Sequence, residues 1–308
     1  MRMAAATTSP SLYGRLCAVI KIGDKISERF RVTSRIATGG MADVYEAHDL
    51  IGKRVVSIKV MKEELLADPL NSKRFEQEAI AAASFNHPNI VKVYGQGEVD
   101  GRPYMVNEYI NGQTLRDKLN FQISLPLFDA CEIMLQLTDG IAYIHRHGLI
   151  HRDIKPDNLF YMNDGTLKIS DFGISAPIGK KDVGDAVEGT VYYCAPEVLT
   201  GKPASIANDI YSMGVVFYEI LVGTVPFDGV SAEEIAMKQI TKRFPEPSKK
   251  APSIPKSIDK IIIDACRKRP EERYQSAAEM HEAIVKAMED KEHFKEKKGI
   301  LSRIFGFK

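Results

Sequence analysis

The chain has no tryptophan, four cysteines and no long apolar run among its 308 residues. Each scarcity excludes something. Cys17, Cys131, Cys194 and Cys266 are scattered, with no C-x-x-C pair, so neither a disulfide framework nor a zinc site is indicated. Reduced, packed thiols are expected. No apolar stretch reaches the roughly 18 residues that a membrane helix needs. The early cluster Leu16 to Ile22 is broken by Lys21, and the N-terminus lacks a signal-peptide core, so a cytoplasmic location is expected. An excess of either charge is missing too: 42 Lys+Arg face 41 Asp+Glu, a formal net charge of +1. That balance argues against a strongly basic nucleic-acid binder. No internal repeat appears.

What is present suffices for a large core, since 44% of the residues are hydrophobic. The length suits one large domain or two lobes sharing a cleft. Residues 1–24 read as an N-terminal extension that contains the small, polar stretch AAATTSPS. From Ile22 to Tyr109, FRVTSRI, MADVYEAHD and KRVVSIKVM alternate with turns and predict strands. A helix fits Ser72 to Ser84, with Asn71 or Ser72 as N-cap and His87-Pro88 beyond its end. Two further strands, IVKVYGQGEV and RPYMVNEYI, are joined by the hairpin signal Asp100-Gly101.

After Gly112 the period becomes helical. Helices are predicted over Leu127 to His147, ending at Gly148, and over Asn208 to Val222, Ala232 to Lys242, Ile258 to Lys268 and Ser276 to Glu289. A strand-rich part followed by a helix-rich part indicates the α+β class. Residues 291–308 carry six basic against two acidic residues, a net +4. Ile300, Leu301, Ile304 and Phe305 can share one helix face. The segment 290–308 therefore reads as a basic amphipathic tail in weak contact with anionic lipid or a partner, or as a frayed, solvated end.

The most informative stretch is His151-Arg152-Asp153-Ile154-Lys155-Pro156-Asp157-Asn158, followed by a short apolar strand, Leu159-Phe160. Thirteen residues after Asn158 comes Asp171-Phe172-Gly173. In this order and spacing the two segments resemble the H-R-D-x-x-x-x-N and D-F-G signatures of the protein-kinase family. The resemblance covers about residues 25–289. It implies a two-lobed fold, with a small antiparallel-sheet lobe at about 25–108 and a larger, mainly helical lobe at about 111–289. It also implies transfer of the γ-phosphoryl group of ATP to protein substrates, with Mg²⁺ (or Mn²⁺). Such transfer needs a held triphosphate, a screening metal and an aligned hydroxyl. By resemblance, Asp153 accepts the hydroxyl proton or orients the nucleophile. Lys155 reaches the transferred phosphate, as in serine/threonine rather than tyrosine kinases. Asn158 and Asp171 offer the hard oxygen ligands that Mg²⁺ prefers.

Val56-Ser57-Ile58-Lys59 matches the V-A-I-K strand motif, with Ser in place of Ala. Lys59 would bind the α- and β-phosphates. Glu78 fits the helix glutamate that holds this lysine; its rival Glu76 lies about 160° away around the helix axis and faces solvent. The phosphate-covering loop from Ile36 to Val44 has Ala37, Gly39 and Ala42 where G-x-G-x-x-G has glycines. Gly39-Gly40 still permits close backbone approach to phosphate and unusual φ values. The run GGMADVY resembles the loop of bacterial Hanks-type kinases. Ile36 and Val44 would sandwich the adenine, and backbone groups of Glu108 and Ile110 would hydrogen-bond its edge. Asn107 flanks the back of the pocket, polar where the family usually carries Met, Leu, Thr or Phe. Its partner is left open between the nucleotide, a water and the helix.

Asp171 to Glu197 would form the activation segment, closing on Cys194-Ala195-Pro196-Glu197, a match to A-P-E. Thr190 would contact Asp153 and Lys155 and favour Ser/Thr acceptors. Glu197 would pair with Arg273, and Asp209 would support the catalytic-loop backbone, all buried. Between Gly173 and Gly189 the one hydroxyl residue is Ser175, so the usual Thr phosphoacceptor is missing. Asp182, Asp185 or Glu188 would replace the phosphate by pairing with Arg152; solvated loop charges are the other reading.

Three functions compete: an active serine/threonine protein kinase with autophosphorylation, a pseudokinase scaffold that binds nucleotide or partner proteins, and a small-molecule phosphotransferase of related fold. The joint presence of Lys59, Glu78, Asp153, Asn158 and Asp171 favours the first. Only the irregular glycine loop favours the second. The activation segment and Lys155 argue against the third. A homodimer through the small lobe is implied by the resemblance alone.

Overall fold

The computed structural model describes residues 19–171, 190–290 and 293–294. Its first part is built from β1 (Lys25–Ile26), β2 (Phe30–Thr38), β3 (Ala42–Asp49), β4 (Arg54–Met61), α1 (Pro69–Ala83), β5 (Val93–Val99) and β6 (Arg102–Glu108). The six strands form one antiparallel sheet in the order β1-β2-β3-β4-β6-β5. Alternation gives the sheet two apolar faces. Tyr45, Ala47, Val56, Ile58, Val60, Tyr104 and Val106 close a small core on one side. On the other, Ala42, Met61 and Met105 meet Phe75, Ala79 and Ala82 of α1 and continue into the main core. Asp100 and Gly101 both take positive φ, 50° and 76°, which turns β5 tightly into β6.

The helix expected from Ser72 starts earlier. Asp68 caps it by accepting the Leu70 amide at 2.9 Å, and Pro69 fills the first position, where its fixed φ is already helical.

The second part contains β7 (Gly112–Thr114), α2 (Leu115–Gln122), α3 (Leu127–Arg146), β8 (Leu159–Met162), β9 (Leu167–Ile169), α4 (Pro196–Leu199), α5 (Ile206–Val222), α6 (Ala232–Thr241), α7 (Pro247–Lys250), α8 (Lys256–Ala265) and α9 (Ala277–Met288). β7, β8 and β9 make a small antiparallel sheet beside the cleft. α5 is buried continuously from Asn208 to Leu221 and forms the axis of the main core. Gly148 and Gly223 follow α3 and α5 with φ of 75° and 86°, the left-handed values that end a helix. α8 stops at Ala265, short of the expected Lys268. Beyond its end, the Arg273 guanidinium satisfies the carbonyls of Arg267 and Lys268, at 2.7 and 3.2 Å. Helix α2 was not anticipated, although Thr114 and Asp117 form a reciprocal capping box at its start.

This is the two-lobed α+β architecture expected from the sequence. Cys131 and Cys266 are buried, Cys194 is half-buried, and all three are free thiols; Cys17 lies outside the described residues. Among the described residues no helix is long and apolar enough to cross a membrane. Most of the basic tail lies outside them, as do Phe172, Gly173, Ser175, Asp182, Asp185, Glu188 and Gly189.

Candidate active site

The loop from His151 to Asn158 is supported by one carboxylate from the start of α5. Asp209 is buried and accepts the backbone N–H groups of His151 and Arg152, at 2.8 and 2.9 Å, and the His145 Nε2–H at 2.8 Å. Burial works to raise its carboxyl, but these hydrogen bonds and the neighbouring imidazoles hold it below the ordinary value. The support matters because Arg152 adopts φ of 69°, a left-handed conformation that costs a non-glycine residue free energy. His151 is buried, with its Nε2–H donating to the Ser170 carbonyl at 3.2 Å and its Nδ1 accepting the Asp153 amide at 3.3 Å. That pattern requires the neutral ring, and burial pushes its pKa down.

Three of the residues singled out in the sequence meet in a triangle. Lys155 Nζ lies 2.8 Å from Asp153 Oδ2 and donates to Thr190 Oγ1 at 3.2 Å. The Thr190 hydroxyl donates to Asp153 Oδ1 at 3.3 Å. Asn158 Nδ2 donates to the Asp153 carbonyl at 2.9 Å and to its Oδ2 at 2.8 Å. Both contacts use the amide nitrogen, so the Asn158 oxygen is the end available to a cation.

Lys59 enters from β4. Its ammonium is 3.8 Å from Glu78 Oε1 and 2.6 Å from Asp171 Oδ1. Glu78 is the buried glutamate of α1 and Glu76 the exposed one. Burial would lower the Lys59 pKa, but the two carboxylates outweigh it and raise it, so Lys59 stays charged. Lys59 in turn holds Asp171 below the ordinary carboxylate range. Asp171 takes the shorter contact, with φ of 50°, a left-handed value that aspartate tolerates. The donor set, one carboxylate and one amide oxygen, has the hard-oxygen chemistry that Mg²⁺ takes. No cluster of three His, Cys, Asp or Glu side chains suited to a metal exists among the described residues.

The remaining candidates lie around the mouth. Val44 pairs with Lys59 across β3 and β4, so the two side chains share the cleft face. Ile36 falls in an irregularity of β2 and is 48% exposed. Gly39 and Gly40 join β2 to β3, but neither takes the positive φ that the sequence reading allowed for. A Cβ on Gly39 would lie 3.3 Å from the Ala42 carbonyl oxygen, a tight contact. The Glu108 carbonyl faces the Ser57 hydroxyl at 3.4 Å, while the Glu108 amide donates to the Lys92 carbonyl at 2.7 Å. Ile110 follows outside the strand.

Glu197 and Arg273 form a buried bidentate pair, with both N···O distances 2.7 Å, and Asn208 Nδ2 donates to the same carboxylate at 2.7 Å. Two clusters were not read from the sequence. Arg116 of α2 donates to Glu219 Oε1 at 2.8 Å and to the Tyr193 phenol oxygen at 2.5 Å, and Tyr193 donates to Glu219 Oε2 at 2.5 Å. Lys168 of β9 donates to Glu108 Oε2 at 2.9 Å, which ties the connection between the lobes to the small sheet. The capping box at Thr114 was the available signal for α2, whereas Lys168 had none.

The family model for the protein kinase domain matches residues 30–285. The chain belongs to the protein kinase family. The serine/threonine-protein kinase PrkC of Bacillus subtilis is 39% identical over 279 residues, 90% of this chain and 43% of that protein. The serine/threonine-protein kinases PknB of Mycolicibacterium smegmatis and of Mycobacterium leprae are each 36% identical, over 274 and 268 residues, covering 86% and 85% of this chain and 44% and 43% of theirs. These likenesses put the kinase domain on the bacterial Hanks-type serine/threonine branch. The chain spans less than half the length of these relatives.

Proposed function

We propose that this chain is an ATP-dependent serine/threonine protein kinase that also phosphorylates itself. The observation that carries the reading is the triangle of Asp153, Lys155 and Thr190, a carboxylate, an ammonium and a hydroxyl within 3.3 Å of one another. The acceptor oxygen attacks the γ-phosphorus, the bond from that phosphorus to its bridging oxygen breaks, and ADP leaves. The acceptor proton passes to Asp153. Lys155 stabilises charge on the transferred group, and Thr190 shapes the site for a small aliphatic hydroxyl. Lys59, steadied by Glu78, holds the α- and β-phosphates under the Gly39-Gly40 backbone. Ile36 and Val44 enclose the base, with Glu108 and Ile110 at its edge. Mg²⁺ (or Mn²⁺) supplies charge screening of the triphosphate, and Asn158 and Asp171 would hold it. Asp182, Asp185 or Glu188 pairs with Arg152, so that no loop phosphate is required. The catalytic unit spans about 25–289, between the extension and the basic tail.

One experiment tests this. The full chain is incubated with labelled ATP, Mg²⁺ and a protein rich in Ser and Thr, before and after phosphatase treatment. Transfer is expected in both samples. Asp153→Asn should lower the rate by about 10²–10⁴-fold, and Lys59→Met should abolish tight nucleotide use. No transfer above these variants would favour the scaffold reading. Loss of transfer after phosphatase treatment would remove the acidic substitute.

A further inference from the structure

A cavity of about 560 Å³ lies between the segment that follows α6, the outer face of α8 and the turn after it. Three lysines line it: Lys256, Lys260 and Lys268. Two of them are exposed and ion-paired, Lys256 with Asp259 at 3.1 Å and Lys260 with Asp264. Lys268 differs. It is half-buried, and among the described residues no carboxylate pairs with it. The four carboxylates of the cavity, Glu246, Asp259, Asp264 and Glu272, are each held by another cation: Lys249, Lys256, Lys260 and Arg269. The Lys268 Nζ donates instead to the Gln239 carbonyl at 2.5 Å, and it lies 4.8 and 6.0 Å from the ring centroids of Phe227 and Tyr211. Partial burial without a counter-ion favours the neutral amine. Burial pushes its pKa down to about 8; Arg273 adds to the fall, while Cys266 and the ring face of Phe227 oppose it.

We propose that Lys268 is an acylation site: in this cavity its Nζ takes the acyl group of a small acyl phosphate. The nitrogen lone pair attacks the carbonyl carbon and a C–N bond forms. The C–O bond to phosphate breaks, phosphate leaves with that electron pair, and the surplus proton of the nitrogen passes to water. Arg243 and Arg267 line the same cavity, and their guanidinium groups suit a phosphate leaving group. The product fits the site better than the ammonium does. An amide is uncharged, so burial beside Arg273 no longer penalises it, and its one remaining N–H can still donate to the Gln239 carbonyl. The site is one side chain away from the acceptor segment: Gln239 Nε2 donates to the Tyr192 carbonyl at 2.5 Å, two residues after Thr190.

The test reads acylation directly, so its outcome is independent of the kinase reading. The full chain is incubated with acetyl phosphate from about pH 7 to 9.5, and the rate of acetylation at each lysine is followed by peptide mass spectrometry. At about pH 8 Lys268 should react about tenfold or more faster than Lys256 and Lys260, although those two are the more exposed. Its rate should level off above about pH 8, where the amine is already neutral. In guanidinium chloride, which unfolds the chain, the advantage should vanish. Arg243→Gln combined with Arg267→Gln should slow acetylation of Lys268 by acetyl phosphate about threefold or more, and leave its reaction with the uncharged donor N-hydroxysuccinimidyl acetate unchanged. A Lys268 rate no higher than those of Lys256 and Lys260 in the folded chain overturns the proposal. So does an advantage that persists in the unfolded chain. Equal effects of the double substitution on both donors overturn the choice of an acyl phosphate.

Discussion

His151 has one workable protonation state. Its Nδ1 accepts the Asp153 amide, so a proton added there would set one N–H against another. Burial lowers its pKa despite the opposing pull of Asp209, Asp153 and Asp171. The unfolded imidazole titrates near about 6.5. Below that pH the unfolded chain binds the proton first, so the stability contributed by His151 is complete above about 6.5 and is lost as pH falls through the lower folded value. Urea unfolding of wild type should therefore weaken as pH falls below about 6.5, and His151→Phe should show a shallower loss over the same fall. Parallel curves would contradict the assignment. Residue type and spacing already pointed to Asp153, Lys155 and Asn158. They did not disclose that Lys59 lies nearer Asp171 than Glu78, because that distance joins residues 112 apart in the chain.

At the scale of elements, α2, α5 and the turn after Thr190 are joined by Arg116, Glu219 and Tyr193. Burial and the Glu219 carboxylate both raise the Tyr193 phenol pKa, so the hydroxyl remains a donor. Tyr193 is three residues beyond Thr190, and the cluster fixes that segment against two helices. Tyr193→Phe removes charge-assisted hydrogen bonds worth about 1.5–3 kcal/mol. The expected kinetic result is a higher KM for the protein acceptor with ATP affinity unchanged. An equal loss in ATP affinity would make the cluster a matter of general stability. Helices α3, α5, α6 and α9 were legible from apolar period and glycine stops to within a residue or two. α2 was not, because eight residues with only Leu115 and Leu119 buried give too short a pattern.

Across the whole molecule, Glu197 and Arg273 join segments 76 residues apart through a pair removed from water. Arg273→Met leaves a buried carboxylate uncompensated and should cost about 3–5 kcal/mol in urea unfolding, whereas adding Glu197→Leu should restore part of that loss. Full additivity of the two substitutions would show that the pair is not coupled. The same arginine illustrates where sequence reading stops. A helix was expected to run to Lys268, yet α8 ends at Ala265, and the Arg273 guanidinium takes the carbonyls of Arg267 and Lys268 beyond it. By itself the sequence determined the strand-rich part followed by the helix-rich part, the positions of α3, α5, α6 and α9, the cleft-facing phase of Lys59 and Glu78, and the loop chemistry of residues 151–158. Those depend on local period and spacing, which act over a few residues. The Asp153–Lys155–Thr190 triangle, the Arg116 cluster, the Lys168 tie and the unpartnered oxygen of Asn107 were decided only when burial of two apolar sheet faces and the α5 axis brought distant segments within hydrogen-bond reach.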